Sequence, residues 1–274
     1  MKRMNVQLRG GTRVDYHEMG NGVNTLLMLH GNSMDKESFQ FQMTSSLADK
    51  FRLLSVDFPG HGGTVSAVPP QDAYTVEALA DFVVELVREM DLSDFAIFGH
   101  SLGGHIAIEA APRLPGLRGL LTLGTPPLSH EDVGYSPFLD HPALPLIFAE
   151  ELDSNETMLL AKTYLGDLFD HHADQIQNSI LNTDPQFRSV IGADVASGNF
   201  QDEASILNNL PFPAAVSVGE EDPLVNRDYM DQVLDSSKMW NDHVQVIEEA
   251  GHSSHMEKSE SFNSLLEAYL EEMF

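Results

Sequence analysis

Short apolar runs bounded by turn residues recur along this chain: Thr25-Leu26-Leu27-Met28-Leu29, Arg52-Leu53-Leu54-Ser55-Val56-Asp57, Phe95-Ala96-Ile97-Phe98, Gly119–Gly124, Pro213–Gly219 and His243–Ile247. Runs of this length that do not alternate with polar residues predict strands buried on both faces, the habit of a parallel sheet. Between them, Thr75 to Met90 places Val76, Leu79, Ala80, Val83, Leu86 and Val87 at helical spacing, with Thr75 as its N-cap. Ser101 to Leu114 predicts a second helix, stopped by Pro115-Gly116, and a terminal helix begins near Ser259. Ahead of the first buried run, Val6–Arg9 and Thr12–Tyr16 flank Gly10-Gly11, which predicts a hairpin and hence an antiparallel edge.

Strands alternating with helices over short links predict an α/β fold with a mostly parallel sheet, whose ligand site lies at the carboxyl ends of the strands. From about Leu128 to Asn209 that rhythm gives way to helical patterns and polar breaks. The predicted organisation is therefore a core built from residues 1–127 and 210–274 and a helical lid at 128–209.

Composition narrows the partners. Fifteen Lys and Arg against 42 Asp and Glu give a formal charge of −27, which repels nucleic acid and anionic membranes. The acids are scattered, as on a solvated surface, and lysine is scarce, as in adaptation to salt. No apolar run reaches bilayer length and Met1–Gln7 leads into polar residues, so the expected location is the cytoplasm. With no cysteine, disulfides, thiolate metal sites and cysteine nucleophiles are excluded. Neither a cofactor nor a metal is expected, and the oligomeric state is not legible.

The chemistry starts at Gly99-His100-Ser101-Leu102-Gly103, where an apolar run turns into a helix. A serine on so tight a strand-to-helix turn is forced toward positive φ and lies between two glycines, the pattern of a nucleophile elbow. His30-Gly31-Asn32-Ser33 follows the strand at Thr25–Leu29. Such a loop can present a backbone amide opposite the elbow, so Asn32 and Leu102 are the expected oxyanion donors. A serine needs a base, itself oriented by an acid. After the last two strands come Gly219-Glu220-Glu221-Asp222-Pro223 and Glu248-Glu249-Ala250-Gly251-His252, giving the order Ser, acid, His. His252 is the expected base, with His255 as its rival, and either could instead lie on the surface. Asp222, stiffened by Pro223, ranks ahead of Glu221 and then Glu220 as the acid.

The remaining histidines carry less. His130, His171 and His172 have no partners at ligand spacing and read as surface. His61 reads as loop structure, and His105 as a helix-surface or supporting residue. His100 either lines the pocket or packs beneath the elbow. In the lid, Phe138, Leu144, Phe148, Leu160, Tyr164 and Phe169 are apolar candidates to hold a substrate, unless they form the lid's own core.

Together the loop His30–Ser33, the turn Asp57-Phe58-Pro59-Gly60-His61-Gly62, the elbow, the acid loop and Gly251-His252 resemble the α/β-hydrolase superfamily. Gly103–Glu109, Arg118-Gly119-Leu120, Gly124-Thr125-Pro126-Pro127 and Lys238-Met239-Trp240 are similar to the metal-independent N-acyl-homoserine-lactone hydrolases within it. The resemblance implies an α/β-hydrolase fold and a small-molecule ester or lactone substrate. It also implies attack by Ser101 on the lactone carbonyl and release of an acyl homoserine. This chain departs from that group in having His100 where a tryptophan stands and Asp222 where a glutamate stands. Ser101 argues against dehalogenases and epoxide hydrolases, which use aspartate at the elbow. A broad carboxylesterase, a carbon–carbon bond hydrolase, an aminopeptidase and a non-catalytic ligand-binding member of the fold remain the alternatives.

Overall fold

The glycine turn does what the sequence demands of it: β1 (Lys2–Gln7) and β2 (Arg13–Met19) pair antiparallel across it. A computed structural model describes all of residues 1–274. Six more strands complete the sheet: β3 (Thr25–Leu29), β4 (Arg52–Val56), β5 (Phe95–His100), β6 (Leu117–Leu123), β7 (Ala215–Gly219) and β8 (Gln245–Ile247). Their order is β1-β2-β4-β3-β5-β6-β7-β8. β2 also runs antiparallel to β4, and every later pairing is parallel. This is an α/β-hydrolase fold, with a mostly parallel sheet and an antiparallel N-terminal edge.

After β3 the chain adds β4 on one side and returns to add β5 on the other. At that reversal neighbouring loops diverge and leave a crevice beyond the strand ends. The register sets Leu29 beside Gly99, so the loop after β3 and the turn after β5 emerge side by side.

Both faces of the sheet are covered, which is why β3 and β5 are apolar throughout. On one face Leu27, Leu29, Leu54, Val56 and Ile97 pack against α1 (Val76–Glu89) and α2 (Leu102–Ala110). On the other, Leu26, Met28, Leu53 and Phe98 meet α8 (Ser259–Met273) through Phe262, Leu266 and Tyr269. The Thr75 hydroxyl caps α1 by accepting from the Ala78 amide. The helix expected to reach Leu114 ends as α-helix at Ala110 and tightens into a 3-10 turn, Ala111–Arg113. Pro112 has no N–H to continue the ladder.

Between β6 and β7 lie α3 (Ser154–Leu165), α4 (Phe169–Asn182), α5 (Pro185–Ala196) and α6 (Glu203–Asn208), and α7 (Arg227–Val233) follows β7. Asp153 and Glu156 form a reciprocal capping box at the start of α3. α3 and α4 share a separate apolar cluster with Met34, Leu224 and Met256, whereas Phe187 and Ile191 of α5 join the main core. No helix is long and apolar enough to cross a membrane.

Candidate active site

Ser101 caps the N-terminus of α2 with φ 51° and ψ −118°. This left-handed backbone is costly for a side-chain residue and persists because its surroundings leave no alternative. A Cβ on Gly99 would run into the Gly103 carbonyl, and one on Gly103 into the Leu29 carbonyl, so both elbow glycines are set by close approach. The Ser101 hydroxyl makes no hydrogen bond within the protein and stays accessible. The Leu102 N–H, in the first turn of α2, also has no protein acceptor.

Opposite lies the loop after β3. The Asn32 side chain donates to the Ile147 carbonyl at 3.0 Å and accepts from the Ser33 hydroxyl at 3.0 Å, leaving its backbone N–H without a protein acceptor. Two buried histidines hold this loop. His30 donates Nδ1–H to the Gly31 carbonyl at 2.8 Å and accepts the Phe58 N–H at Nε2, and His61 accepts the Ser33 N–H at 3.2 Å. Burial keeps both well on the neutral side of an ordinary histidine, His30 adding to the effect at His61. Just beyond, the Lys36 ammonium is buried between Asp57 (2.7 Å) and Asp15 (2.9 Å), tying the loop to the turn at Asp57–Gly62.

The loops after β7 and β8 meet at His252. Its Nδ1–H donates to Asp222 Oδ2 at 2.8 Å, and both side chains are almost fully buried, at 2% and 1% exposure. The other carboxylate oxygen accepts the Leu224 and Val225 amides at 2.9 and 3.2 Å. Glu220 and Glu221 are exposed, and Glu220 turns away to accept the Glu249 N–H. His252 Nε2 is buried without a hydrogen-bond partner, and Ser101 and His252 line the same cavity with no hydrogen bond between them.

Several expectations are corrected here. Neither His252 nor His255 lies on the surface. His255 is enclosed by Phe39, Phe98 and Phe262, and burial together with His252 pushes it down to about 3. His100 does not line the cavity but packs beneath the elbow, donating Nε2–H to the His252 carbonyl at 3.0 Å. Leu160, Tyr164 and Phe169 are also outside the cavity lining, because their helix faces pack on the cluster under α3 and α4. Tyr164 stacks on the His252 ring at 5.9 Å. Phe138, Leu144 and Phe148 do line the cavity, with Leu128, Ile147 and Leu224.

Two supporting carboxylates were not singled out from sequence. Glu203 of α6, fully buried, accepts His105 Nδ1–H at 2.8 Å and the Leu128 N–H at 2.8 Å, and both Glu203 and His105 face the cavity. Glu257 accepts the Gly251 and Ser253 amides at 3.1 and 3.2 Å, bracketing His252, and burial raises its carboxyl to about 7. Their partners are near in space and, for His105–Glu203, 98 residues apart in sequence.

The model of the alpha/beta hydrolase family matches residues 26–265. Over its whole length the chain superposes on the crystal structure of a mutant of the N-acyl homoserine lactonase AidH in which a serine is replaced by glycine, complexed with N-hexanoyl homoserine lactone. The TM-score is 0.92 and the identity 29%, covering 100% of this chain and 98% of that one. The esterase RhEst1 from a Rhodococcus species shares the fold, with a TM-score of 0.80 at 19% identity over 100% of both chains. Among curated relatives, a 2-hydroxy-6-oxononadienedioate/2-hydroxy-6-oxononatrienedioate hydrolase of Paraburkholderia phymatum is 26% identical over 98% of this chain and 95% of its own. The dihydrolipoyllysine-residue acetyltransferase component of the acetoin cleaving system of Cupriavidus necator is 26% identical over 95% of this chain and 67% of that protein.

Proposed function

The chain belongs to the α/β-hydrolase family, and from that membership we propose that it is a metal-independent serine hydrolase that opens N-acyl homoserine lactones. The observation that carries this reading is the opening of Ser101 and the Asp222-bound His252 into one apolar cavity, in a chain that superposes end to end on a lactonase.

In the proposed reaction His252 Nε2 takes the Ser101 proton as the oxygen attacks the lactone carbonyl. The Asn32 and Leu102 amides, which have no acceptor of their own in the protein, receive the oxyanion. Collapse breaks the ring C–O bond, and the imidazolium returns its proton to the departing alkoxide, leaving an acyl-enzyme whose acyl group carries the free hydroxyl. Water then attacks the ester, giving a proton to His252, and Ser101 is regenerated as N-acyl homoserine departs. Asp222 holds His252 in the tautomer that keeps Nε2 free to accept. Residues 128–209 act as the lid, and Phe138, Leu144 and Phe148 hold the acyl chain.

A broad carboxylesterase is the second reading, since the same machinery cleaves any ester that fits. The dianionic substrate named for the carbon–carbon bond hydrolase suits this cavity poorly, because no Lys or Arg is among its lining residues. Proton release during hydrolysis of lactones of graded chain length, beside matching nitrophenyl esters, tests the proposal. Ester cleavage with lactone rates no higher than those of Ser101→Ala would leave the carboxylesterase.

A further inference from the structure

The cavity is apolar except for five side chains: Asn32, Ser101, His105, Glu203 and His252. The proposed reaction accounts for Ser101 and His252. The Asn32 side chain is spent on the Ile147 carbonyl and the Ser33 hydroxyl, and the Glu203 carboxylate on the His105 ring and the Leu128 amide. One polar atom is left over. His105 Nε2 bonds to no protein atom and remains accessible, in a wall that otherwise repels polar groups.

Its placement is built. His105 lies one helical turn beyond Ser101 on α2, and residues four apart stand on the same helix face. The fully buried Glu203 carboxylate accepts from Nδ1–H, so that nitrogen is spent and Nε2 is the one left to the cavity. In the neutral ring Nε2 is an acceptor, which pairs with a donor on the substrate.

The geometry points to His105 as a specificity-determining residue that accepts the N–H of an acylamino group on the carbon next to the scissile carbonyl. This rests on the lactone reading above and deepens it: the favoured substrates are N-acylated α-amino esters and lactones, distinguished from plain esters. An amide nitrogen on that carbon is two bonds from the carbonyl carbon under attack, and His105, on the same cavity wall one helical turn beyond Ser101, offers the acceptor left over there. A substrate without that N–H covers Nε2 and leaves it unpaired, and a site that expects a hydrogen bond penalises its absence.

The test uses two matched pairs that differ only in NH against O. One pair is N-hexanoyl homoserine lactone and α-hexanoyloxy-γ-butyrolactone. The other is the p-nitrophenyl esters of N-butanoylglycine and butanoyloxyacetic acid. The intact enzyme is expected to favour the NH member of each pair by about tenfold in kcat/KM, the worth of one such hydrogen bond. In His105→Leu the NH-to-O ratio should fall to about one in each pair, whatever the loss of the Glu203 partner does to the absolute rates, and His105→Gln, which carries an acceptor to the Nε2 position, should recover part of the preference. A role confined to holding α2 against α6 would lower all four rates together and leave the ratio unchanged, which overturns the proposal, as does an intact enzyme with no preference. If the nitrophenyl pair shows the preference while neither lactone is opened, the lactone reading falls and the His105 assignment stands. If neither pair is cleaved, both fall.

Discussion

His100, the residue before Ser101, donates its Nε2–H to the backbone carbonyl of His252 at 3.0 Å, so the turn after β5 holds the loop that carries His252. Burial, and then His255 and His252, keep the His100 ring well on the neutral side, which suits a single-donor role. His100→Leu removes that donor and leaves a buried carbonyl unpaired, at about 1–3 kcal/mol of stability. Displacement of His252 is expected to lower kcat by roughly 10- to 100-fold with KM nearly unchanged. His100→Gln, which keeps an N–H at similar reach, should restore much of kcat. Equal loss of kcat in both variants, or a loss confined to KM, would count against positioning.

Ser101→Ala is expected to abolish turnover, on the order of 10⁶ in kcat, with melting unchanged because the hydroxyl bonds to nothing in the protein. His252→Ala should be nearly as damaging. Asp222→Asn should cost about 10⁴, since its amide oxygen would go to the Leu224 and Val225 amides and its NH2 would face Nδ1 and favour the wrong tautomer, while Glu220→Gln and Glu221→Gln, both on the exposed side of the loop, should stay near the parent rate. Steady-state rates of the five variants, with phosphonate labelling of Ser101 in the parent, decide the assignment. An inactive Glu221→Gln beside an active Asp222→Asn would move the acid by one residue.

What was legible in the sequence, and what was not, follows from how far each signal acts along the chain. Strands buried on both faces announce themselves as continuous apolar runs, and the elbow is a five-residue pattern. In sequence a neighbouring proline, and the abundance of surface glutamates on so acidic a chain, rank Asp222 above Glu221; in the structure burial and two backbone amides separate them. The pairing of His105 with Glu203 joins α2 to α6 and leaves no local trace. Leu160 and Tyr164 fit a pocket wall or the lid's own core equally in sequence, because an apolar helix position does not say which of two apolar surroundings it faces; the structure packs them in the cluster under α3 and α4.

Acid is expected to unfold the protein through its buried histidines. His255 is held at about 3 against an ordinary unfolded value near 6.5, and His30, His61 and His100 are lowered as well. A lowered folded pKa means that the unfolded chain binds more protons. The stabilisation is therefore complete above about 6.5 and is lost as pH falls toward 3, by up to about 1.4 kcal/mol per pH unit for each group. Glu257, raised to about 7, acts in the opposite sense: its contribution is complete below the ordinary glutamate range and is lost as pH rises through 7. Melting temperatures from pH 4 to 8 should accordingly fall on the acid side. In His255→Phe, which places a ring among Phe39, Phe98 and Phe262, that fall should be shallower. An acid limb no shallower than the parent's would remove His255 from the account.

Chain-length dependence tests the cavity itself. Phe138, Leu144 and Phe148 offer an acyl chain almost nothing but hydrocarbon, so each added methylene should gain ~0.8 kcal/mol, about fourfold in kcat/KM, until the wall is reached. The gain should then stop, because a further methylene meets packed side chains. Phe148 rests on Gly192 of α5, where even a methyl group would crowd it, so its ring is fixed from behind and sets a firm boundary. Phe148→Ala takes that boundary away: the plateau should move to longer chains, and short-chain lactones should lose affinity with little change in kcat. Rates on N-acyl homoserine lactones from four to twelve carbons, in parent and variant, read both effects at once. A plateau at the same length in both proteins would mean that the acyl chain runs elsewhere.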